Sequence, residues 1–320
     1  MLRQLRNIVA AFIGQLFNCI GLVNYAKKRF TNGSILPLFF HNPNEKVFKR
    51  LIEWLIENEF ILISTAQLVD IIHGKMDLRQ KAVWISFDDG WQPNIQNVIP
   101  TLLRYNVPAT FFLTTTPIES NEGVFWFSLV RANRRYLPSP YYNKVDNLWF
   151  IPESERKKIV ATLEKGPHIR LPREAMTISE VKKIAQLPQI TIGCHTVDHG
   201  LMTNCTDIEL ETEIRDAKNK IETWIGKEVK YFSFPKGVVD SRTDNILKRC
   251  DFMMAATIEE LLINPQSGDI IDIYRIPRYA ILDDAYFSEV ICHVVGIWQP
   301  FIRRVKATLG FDANKVYESG

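Results

Sequence analysis

The stretch KAVWISFDDGWQPN, residues 81–94, places two adjacent acids directly after a run of strand-forming residues. Its AVWISF part is rich in β-branched and aromatic side chains, which indicates a buried strand. Gly90 follows the acids and indicates that the backbone turns there. Asp88 and Asp89 are therefore either turn formers or residues with a chemical role at the end of a buried strand.

The segments around this stretch alternate between strand and helix patterns. GSILPLFFHNP (33–43) predicts a buried strand that ends at His41, and NEKVFKRLIEWLIENEF (44–60) has helical periodicity. Later segments repeat the order: a helix at 94–106, a strand at 108–114, a strand QITIGCHT, a long helix at 206–226, strands VKYFSFPKG and DIYRIPR, and a closing helix at 283–305. Because parallel strands need crossover connections, this order predicts an α/β fold, either a barrel or an open parallel sheet.

Residues 117–178 interrupt the alternation and predict an insertion with two or three helices. We expect an N-terminal apolar helix at 1–30, one main domain at 31–300 that includes this insertion, and a C-terminal tail at 301–320. The composition, 46% hydrophobic and 23% charged, is typical of a globular protein, and a net charge of +3 does not indicate a nucleic-acid partner. The five cysteines match no zinc or disulfide spacing, which favours reduced thiols in the cytosol.

Residues 7–26 carry no charge and are flanked by basic residues on both sides. Ile8, Phe12, Leu16 and Ile20 recur at four-residue spacing, which predicts one apolar stripe on a helix. A helix on an anionic membrane surface and a helix docked on its own domain fit this pattern equally well. A true span fits less well because the run contains polar residues. A cleaved signal peptide is another alternative, but no A-x-A-like cleavage site follows the run. We therefore expect a cytoplasmic protein, at the inner face of the membrane if the helix binds lipid.

Three predicted strands end in polar residues. One ends in Asp88 and Asp89, another ends in His195 with His199 four residues on, and a third ends in Pro235-Lys236-Gly237. Since the carboxyl ends of parallel strands meet at one rim, a carboxylate and two imidazoles would converge there. They would form a three-ligand site for a metal such as zinc, with an open position for water and a second carboxylate as base. Either motif alone is commonly just a turn or a loop cap, so the prediction depends on their joint appearance.

The motifs ISFDDGWQPN with NVPATFFL, and IGCHTVDHGLMT, closely resemble the polysaccharide deacetylases, the NodB-like domain of carbohydrate esterase family 4. ILPLFFHNP, FSFPKG and YRIPRYAI add looser similarity, the last of them to the bacterial exopolysaccharide branch. The resemblance covers roughly residues 33–285. It implies a deformed (β/α)7–8 barrel with a helical insertion, which removes N-acetyl groups from sugars with one divalent metal ion, Zn2+ being the expected ion.

By position in the family motifs, the resemblance implies that Asp88 is the general base. It assigns the metal to Asp89, His195 and His199, and it gives Thr196 a role in shaping the metal loop by hydrogen bonding.

The general acid and the residue that orients the base are less clear from the motifs. The family's late Leu-x-His motif has only a partial match here, ICH with His293, so His41 is the competing candidate for the acid. The family's third motif often supplies an arginine that orients the base. Here Lys236 follows Pro235, and no arginine lies two residues before it. Arg278, at the end of YRIPR, is expected to supply that charge, with Arg275 as the alternate.

These observations predict a metal-dependent N-deacetylase acting on an N-acetylated glycan or a lipid-linked glycan in cell-surface polysaccharide metabolism. The alternatives are a hydrolase of O-acetyl or non-sugar amide bonds on the same scaffold, and a non-catalytic glycan-binding protein. Trp91, beside the acid pair, could stack on a sugar ring or simply pack. The oligomeric state is left open.

Overall fold

The computed structural model describes residues 2–268 and 270–308 of the chain. Its strands are β1 (Ile35–Phe40), β2 (Ile61–Ile63), β3 (Ala82–Phe87), β4 (Ala109–Leu113), β5 (Ile190–Cys194), β6 (Tyr231–Ser233), β7 (Met254–Ala256) and β8 (Tyr279–Ala280). They pair in the order β7-β6-β5-β4-β3-β1-β8, with β2 beside β3, and every one of these pairings is parallel.

Fourteen α-helices lie within the described part of the chain. They are α1 (Leu2–Cys19), α2 (Leu22–Ala26), α3 (Glu45–Glu57), α4 (Thr65–Ile72), α5 (Asn94–Asn97), α6 (Ile99–Arg104), α7 (Thr115–Glu119), α8 (Trp126–Ala132), α9 (Glu153–Lys165), α10 (Ile178–Ile184), α11 (Asp207–Ile225), α12 (Thr243–Arg249), α13 (Phe287–Val294) and α14 (Trp298–Thr308). Capping boxes begin α10 at Thr177 and α11 at Thr206, and α11 ends at Gly226.

The sheet curls because one segment bonds to both of its ends. The amide of Ala255 in β7 donates to the carbonyl of Ile273 at 3.0 Å, and that of Thr257 donates to Ile276 at 2.8 Å. A few residues later, Ile281 donates to Phe39 of β1 at 3.0 Å. Residues 273–281 therefore link the two ends of the strand order, which gives the deformed parallel α/β barrel that the family resemblance implies and selects it over the open sheet.

The central strands are buried along their whole length, as expected for parallel strands covered by helices. Every residue of β1, β3 and β4 is buried, and the main apolar core is formed by these strands and the helices around them. The chain between β4 and β5 contains α7 to α10 and has an apolar cluster of its own: Leu129, Val130, Leu137, Leu148 and Leu163. The predicted insertion is thus a small helical layer with its own packing.

Several predicted elements have different bounds in the structure. The predicted closing helix breaks into α13 and α14, because Gly296 adopts the left-handed conformation with φ 74°. The predicted strand DIYRIPR is mostly irregular, since Pro277 lacks the amide hydrogen that a strand ladder needs, and regular pairing starts only at β8. The strand β2 has three residues, too few for a recognisable alternation.

The predicted C-terminal tail begins inside α14, and residues 309–320 lie outside the described residues. At the other end of the chain, α1 packs against α13. Among the described helices, none alone is long and apolar enough to cross a bilayer. The bent pair Gln4–Cys19 and Leu22–Arg29, with 74° between its two parts, meets that test by length and composition only.

Candidate active site

The acid pair lies on a buried turn at the end of β3. The Asp88 amide continues the strand pairing by donating to the Phe40 carbonyl at 2.9 Å. Asp89 and Gly90 then adopt left-handed conformations, with φ values of 72° and 89°. The turn favours glycine for its conformation, and a β-carbon at position 90 would also lie 2.9 Å from Cδ2 of Leu113, so that side chain would have to shift. The turn directs two carboxylates, each 2% exposed, into the end of the barrel.

Arg278 binds the Asp88 carboxylate through both of its terminal nitrogens. Nη1 donates to Oδ1 at 2.8 Å and Nη2 donates to Oδ2 at 2.7 Å. The guanidinium is fully buried and lies 4.4 Å from the ring centre of Phe39. Burial by itself would raise the pKa of Asp88, but the charge and hydrogen bonds of Arg278, together with the nearby His195 and His41 rings, outweigh it and hold that pKa below its usual value. Asp88 is therefore an ionised carboxylate with a fixed orientation.

The hydrogen bond of His195 determines which ring nitrogen is free. Nδ1 lies 2.7 Å from the carbonyl oxygen of Ser233, which can only accept, so the proton is on Nδ1. Burial lowers the pKa of His195 to about 4, so the ring is neutral at physiological pH. The unprotonated Nε2 faces the acid pair, at 3.5 Å from Oδ1 of Asp89. This is the form of imidazole that binds a metal ion.

His199 is held beside the acid pair by a strained loop. Thr196 and His199 are left-handed, with φ values of 71° and 53°, and the conformation is unfavourable for a β-branched threonine. The Thr196 hydroxyl accepts the His199 amide at 3.0 Å, which is the bracing role that the resemblance implies for it. The loop brings Nε2 of His199 to 3.1 Å from Oδ1 of Asp89.

The donor atoms fit a divalent metal ion. Those of Asp89, His195 and His199 all lie within 4.8 Å of one another. Zinc bonds of about 2.1 Å at tetrahedral angles separate donors by about 3.4 Å, close to the two distances measured from Asp89. Apart from the close approach of the His199 ring at 3.1 Å, Oδ1 of Asp89 is buried without a hydrogen-bond partner among the described residues, and a metal would supply one. Burial opposes ionisation of Asp89, but the His199 ring, together with the rings of His41 and His195, more than offsets this and keeps the pKa well below its usual range.

Aromatic residues enclose the candidate metal site formed by Asp89, His195 and His199. Trp91 donates its indole N–H to Oδ2 of Asp89 at 2.9 Å, so this tryptophan orients a candidate ligand. From the insertion, the rings of Phe127 and Trp149 each lie 5.5 Å from the ring of His199. Lys236 lies over the ring of Trp149, with Nζ 4.4 Å from the ring centre. The insertion therefore forms one side of the site.

The structure separates the two candidate acids. His41 follows β1, and the register that pairs Phe40 with Phe87 places it alongside Asp88 at the same rim. His293 lies in α13, where its ring is 5.7 Å from that of Trp298 and its Nε2 is 3.8 Å from Glu289. Its described contacts are with helices on the outside of the barrel, so the structure does not bring His293 to the candidate metal site.

The two candidate arginines are separated as well. Arg278 reaches Asp88, whereas Arg275, three residues earlier, donates to Asp244 at 2.8 Å. The structure therefore brings together Asp88, Asp89, His195, His199 and Arg278, with His41 at the same rim.

Two residues of the site had no assigned role in the sequence. Ser233 accepts from His195 through its carbonyl, and its hydroxyl lies between Arg278 and Asp88 at 2.7 and 3.2 Å. Its position at the end of a strand could have indicated this role. Glu213 in α11 accepts the amides of Val197 and Asp198 at 3.0 and 2.9 Å, which anchors the loop before His199. Its signal was an acid on the otherwise apolar stripe of an amphipathic helix.

A second carboxylate cluster lies under the same loop. Glu153, Asp198 and Glu213 are close enough to bind a cation. The cluster already contains two cations from the insertion, because Lys157 contacts Asp198 at 2.7 Å and Glu213 at 2.9 Å, and Arg156 pairs with Glu153. These ion pairs neutralise most of the carboxylate charge, so we interpret the cluster as a buried clamp between the insertion and the metal loop.

A parallel α/β barrel with two carboxylates and two histidines at the carboxyl ends of its strands defines a metal-dependent hydrolase scaffold. The family model described as polysaccharide deacetylase matches residues 75–255, more than half of the chain. The chain therefore belongs to the polysaccharide deacetylase family, which confirms the resemblance found in the motifs and the expected class of enzyme, a carbohydrate deacetylase.

Similar proteins agree with this membership. The poly-beta-1,6-N-acetyl-D-glucosamine N-deacetylase of Staphylococcus epidermidis is 21% identical over 246 residues, which is 77% of this chain and 70% of that protein. The protein of the same name from Staphylococcus aureus is 21% identical over 265 residues, covering 82% and 73%.

Solved structures show the same fold. The structure of IcaB from Ammonifex degensii has a TM-score of 0.58 at 14% identity and covers 83% of this chain and 98% of that chain. The Streptococcus pyogenes deacetylase PplD in complex with acetate has a TM-score of 0.57 at 16% identity and covers 82% and 99%.

Proposed function

We propose that this protein hydrolyses N-acetyl groups on a polymer of N-acetylglucosamine, or on its lipid-linked precursor, in cell-surface polysaccharide metabolism. The observation that carries the proposal is the pairing of a fixed, ionised Asp88 with the donor set of Asp89, His195 and His199. Similarity to proteins named poly-beta-1,6-N-acetyl-D-glucosamine N-deacetylases supports the choice of substrate class. Two imidazoles and one carboxylate with an open fourth position favour zinc as the ion.

Each residue then has a chemical role. A bound divalent ion would polarise the acetamide carbonyl and make water acidic enough to react near neutral pH. Asp88 takes the proton of the attacking water, since it is ionised and held in place by Arg278. His41, partly exposed at the same rim, donates a proton to the departing amine. Trp91 and the Ser233 carbonyl keep Asp89 and His195 oriented.

The experiment that tests the function is acetate release from N-acetylated and O-acetylated oligosaccharides by the metal-loaded protein and its Asp88→Asn variant. We expect release from N-acetyl substrates, lost by about 100-fold or more in the variant while the metal content is unchanged. Release from O-acetyl substrates alone would instead support an esterase. Sugar binding without release from any substrate would support a glycan-binding protein.

The acid is tested by comparing His41→Ala with His293→Ala. We expect the first variant to lose turnover per bound metal and the second to keep it, because His293 lies among outer helices. Equal turnover of His41→Ala and wild type would exclude His41 as the acid.

A further inference from the structure

Helix α1 is fixed to the domain by one of its faces. Arg6 donates to both carboxylate oxygens of Glu289 in α13, at 2.5 and 3.1 Å, and Ala10 is buried. The helices are so close at Gly14 that a β-carbon there would lie 2.6 Å from the Ser288 carbonyl oxygen. This face of α1 therefore agrees with the alternative of a helix docked on its own domain. These contacts give α1 a defined orientation on the domain.

The opposite face of α1 is apolar and exposed. Its large side chains are Leu5 (58% exposed), Ile8 (56%), Val9 (49%), Phe12 (72%) and Leu16 (48%), and Ile20 (65%), in the turn directly after α1, makes a sixth. At about 100° per residue they occupy about 120° of the helix surface, over a length of about 22 Å. We call these six residues the apolar stripe. No charged residue lies within its arc, and a continuous apolar surface of this kind marks an interaction site.

Basic residues flank the apolar stripe in the sequence, and no acid occurs in the sequence nearby. Residues 1–44 include Arg3, Lys27 and Lys28 but neither aspartate nor glutamate. Helix α14 approaches α1 where the rings of Phe17 and Phe301 are 5.1 Å apart. It adds exposed cations at positions 303 and 304, again without an acid between residues 298 and 308. The surface thus combines apolar area with positive charge.

We propose that the apolar stripe binds the surface of an anionic lipid bilayer while the opposite face of α1 holds the deacetylase domain. Both features of the surface match such a bilayer: the apolar side chains would enter the boundary between headgroups and acyl chains, and the cations would meet anionic headgroups. A dimer of two copies through the same surface would bring like charges together, which opposes that alternative. The proposal does not depend on the reaction that the site catalyses.

The test is co-sedimentation of the full chain with vesicles of phosphatidylcholine, with and without anionic phosphatidylglycerol. We expect binding to the anionic vesicles that weakens as salt is added, because salt screens the charge contribution. Phe12→Glu and Leu16→Glu each remove a large apolar side chain that the bilayer would bury. Each should weaken binding by at least about tenfold. The matched controls are Gln4→Glu and Gln15→Glu, which add the same charge to exposed positions beside the apolar stripe.

Three outcomes would overturn the proposal. The first is that wild type does not bind anionic vesicles, and the second is that the control variants lose as much binding as Phe12→Glu. The third is a wild-type dimer in sedimentation analysis that Phe12→Glu dissociates, which would assign the apolar stripe to contact between copies. Thermal unfolding and acetate release should be unchanged in Phe12→Glu, which shows that lost binding does not reflect misfolding. The cytoplasmic location stays a prediction.

Discussion

Replacing Arg278 should damage both the stability of the protein and its turnover. Arg278 and Asp88 form a fully buried ion pair with two hydrogen bonds of 2.8 and 2.7 Å. Unit charges about 4 Å apart attract by about 4 kcal/mol at an effective dielectric constant of about 20. Removal of one partner of a buried pair costs about 3–5 kcal/mol, because the other charge is left uncompensated. We expect Arg278→Met to lower the free energy of unfolding by this amount in urea titrations.

The matched control is Arg275→Met in the same segment. Arg275 pairs with Asp244 at 2.8 Å, but both side chains are partly exposed, at 26% and 35%. Loss of such a pair should cost about 1 kcal/mol or less. The double variant Asp88→Asn with Arg278→Met should be more stable than Arg278→Met alone, since no buried charge is then left without a partner.

Turnover provides a second measurement on the same pair. Arg278→Lys keeps the charge but loses the two-pronged contact that fixes the carboxylate. We expect acetate release per bound metal to fall by about 100-fold, because the base is no longer held in position. Full turnover in Arg278→Lys, or equal destabilisation by Arg278→Met and Arg275→Met, would refute the role we assign to this arginine.

Three further predictions concern the metal ligands and their support. Glu213→Gln should weaken metal affinity by about tenfold or more in chelator competition, whereas Glu211→Gln, a partly exposed residue of the same helix that pairs with Arg215, should not. Gly193→Ala should destabilise the protein by about 1–3 kcal/mol in urea, since the new β-carbon would lie 2.4 Å from Cδ1 of Phe112. Saturating zinc at about 100 times its dissociation constant should stabilise wild type by about 2.7 kcal/mol in thermal unfolding, and His195→Ala should lose that increment. Equal metal affinity in the two glutamate variants would show that the hydrogen bonds of Glu213 to the loop do not support the metal site.

The parts of the site that the sequence predicted are those adjacent to strong local signals. Asp88 and Asp89 follow a continuous apolar strand and precede a glycine, and His195 follows another such strand. Because parallel strands end at a common rim, their order along the chain was enough to expect them together. The repeated strand and helix pattern likewise predicted the α/β fold class.

Other choices depended on contacts that local sequence does not encode. Arg275 and Arg278 are three residues apart in one irregular segment, and only the closure of the barrel directs the second toward Asp88. His41 and His293 both follow apolar residues, but the first lies at the rim and the second between outer helices. The left-handed conformations of Thr196 and His199 are imposed by the loop, and neither residue type indicates them.

By itself the sequence determined the fold class, the strand ends that bear the candidate metal ligands, and an apolar N-terminal helix with basic flanks. Strand and helix periodicity and turn residues are local, so they can be read without knowing what each segment touches. Only the tertiary structure decided which arginine contacts Asp88, which histidine lies at the same rim, and which face of α1 is left exposed. Those outcomes depend on pairs of residues far apart in the chain, such as Arg6 with Glu289 and Asp88 with Arg278, whose proximity arises from the packing of the whole domain.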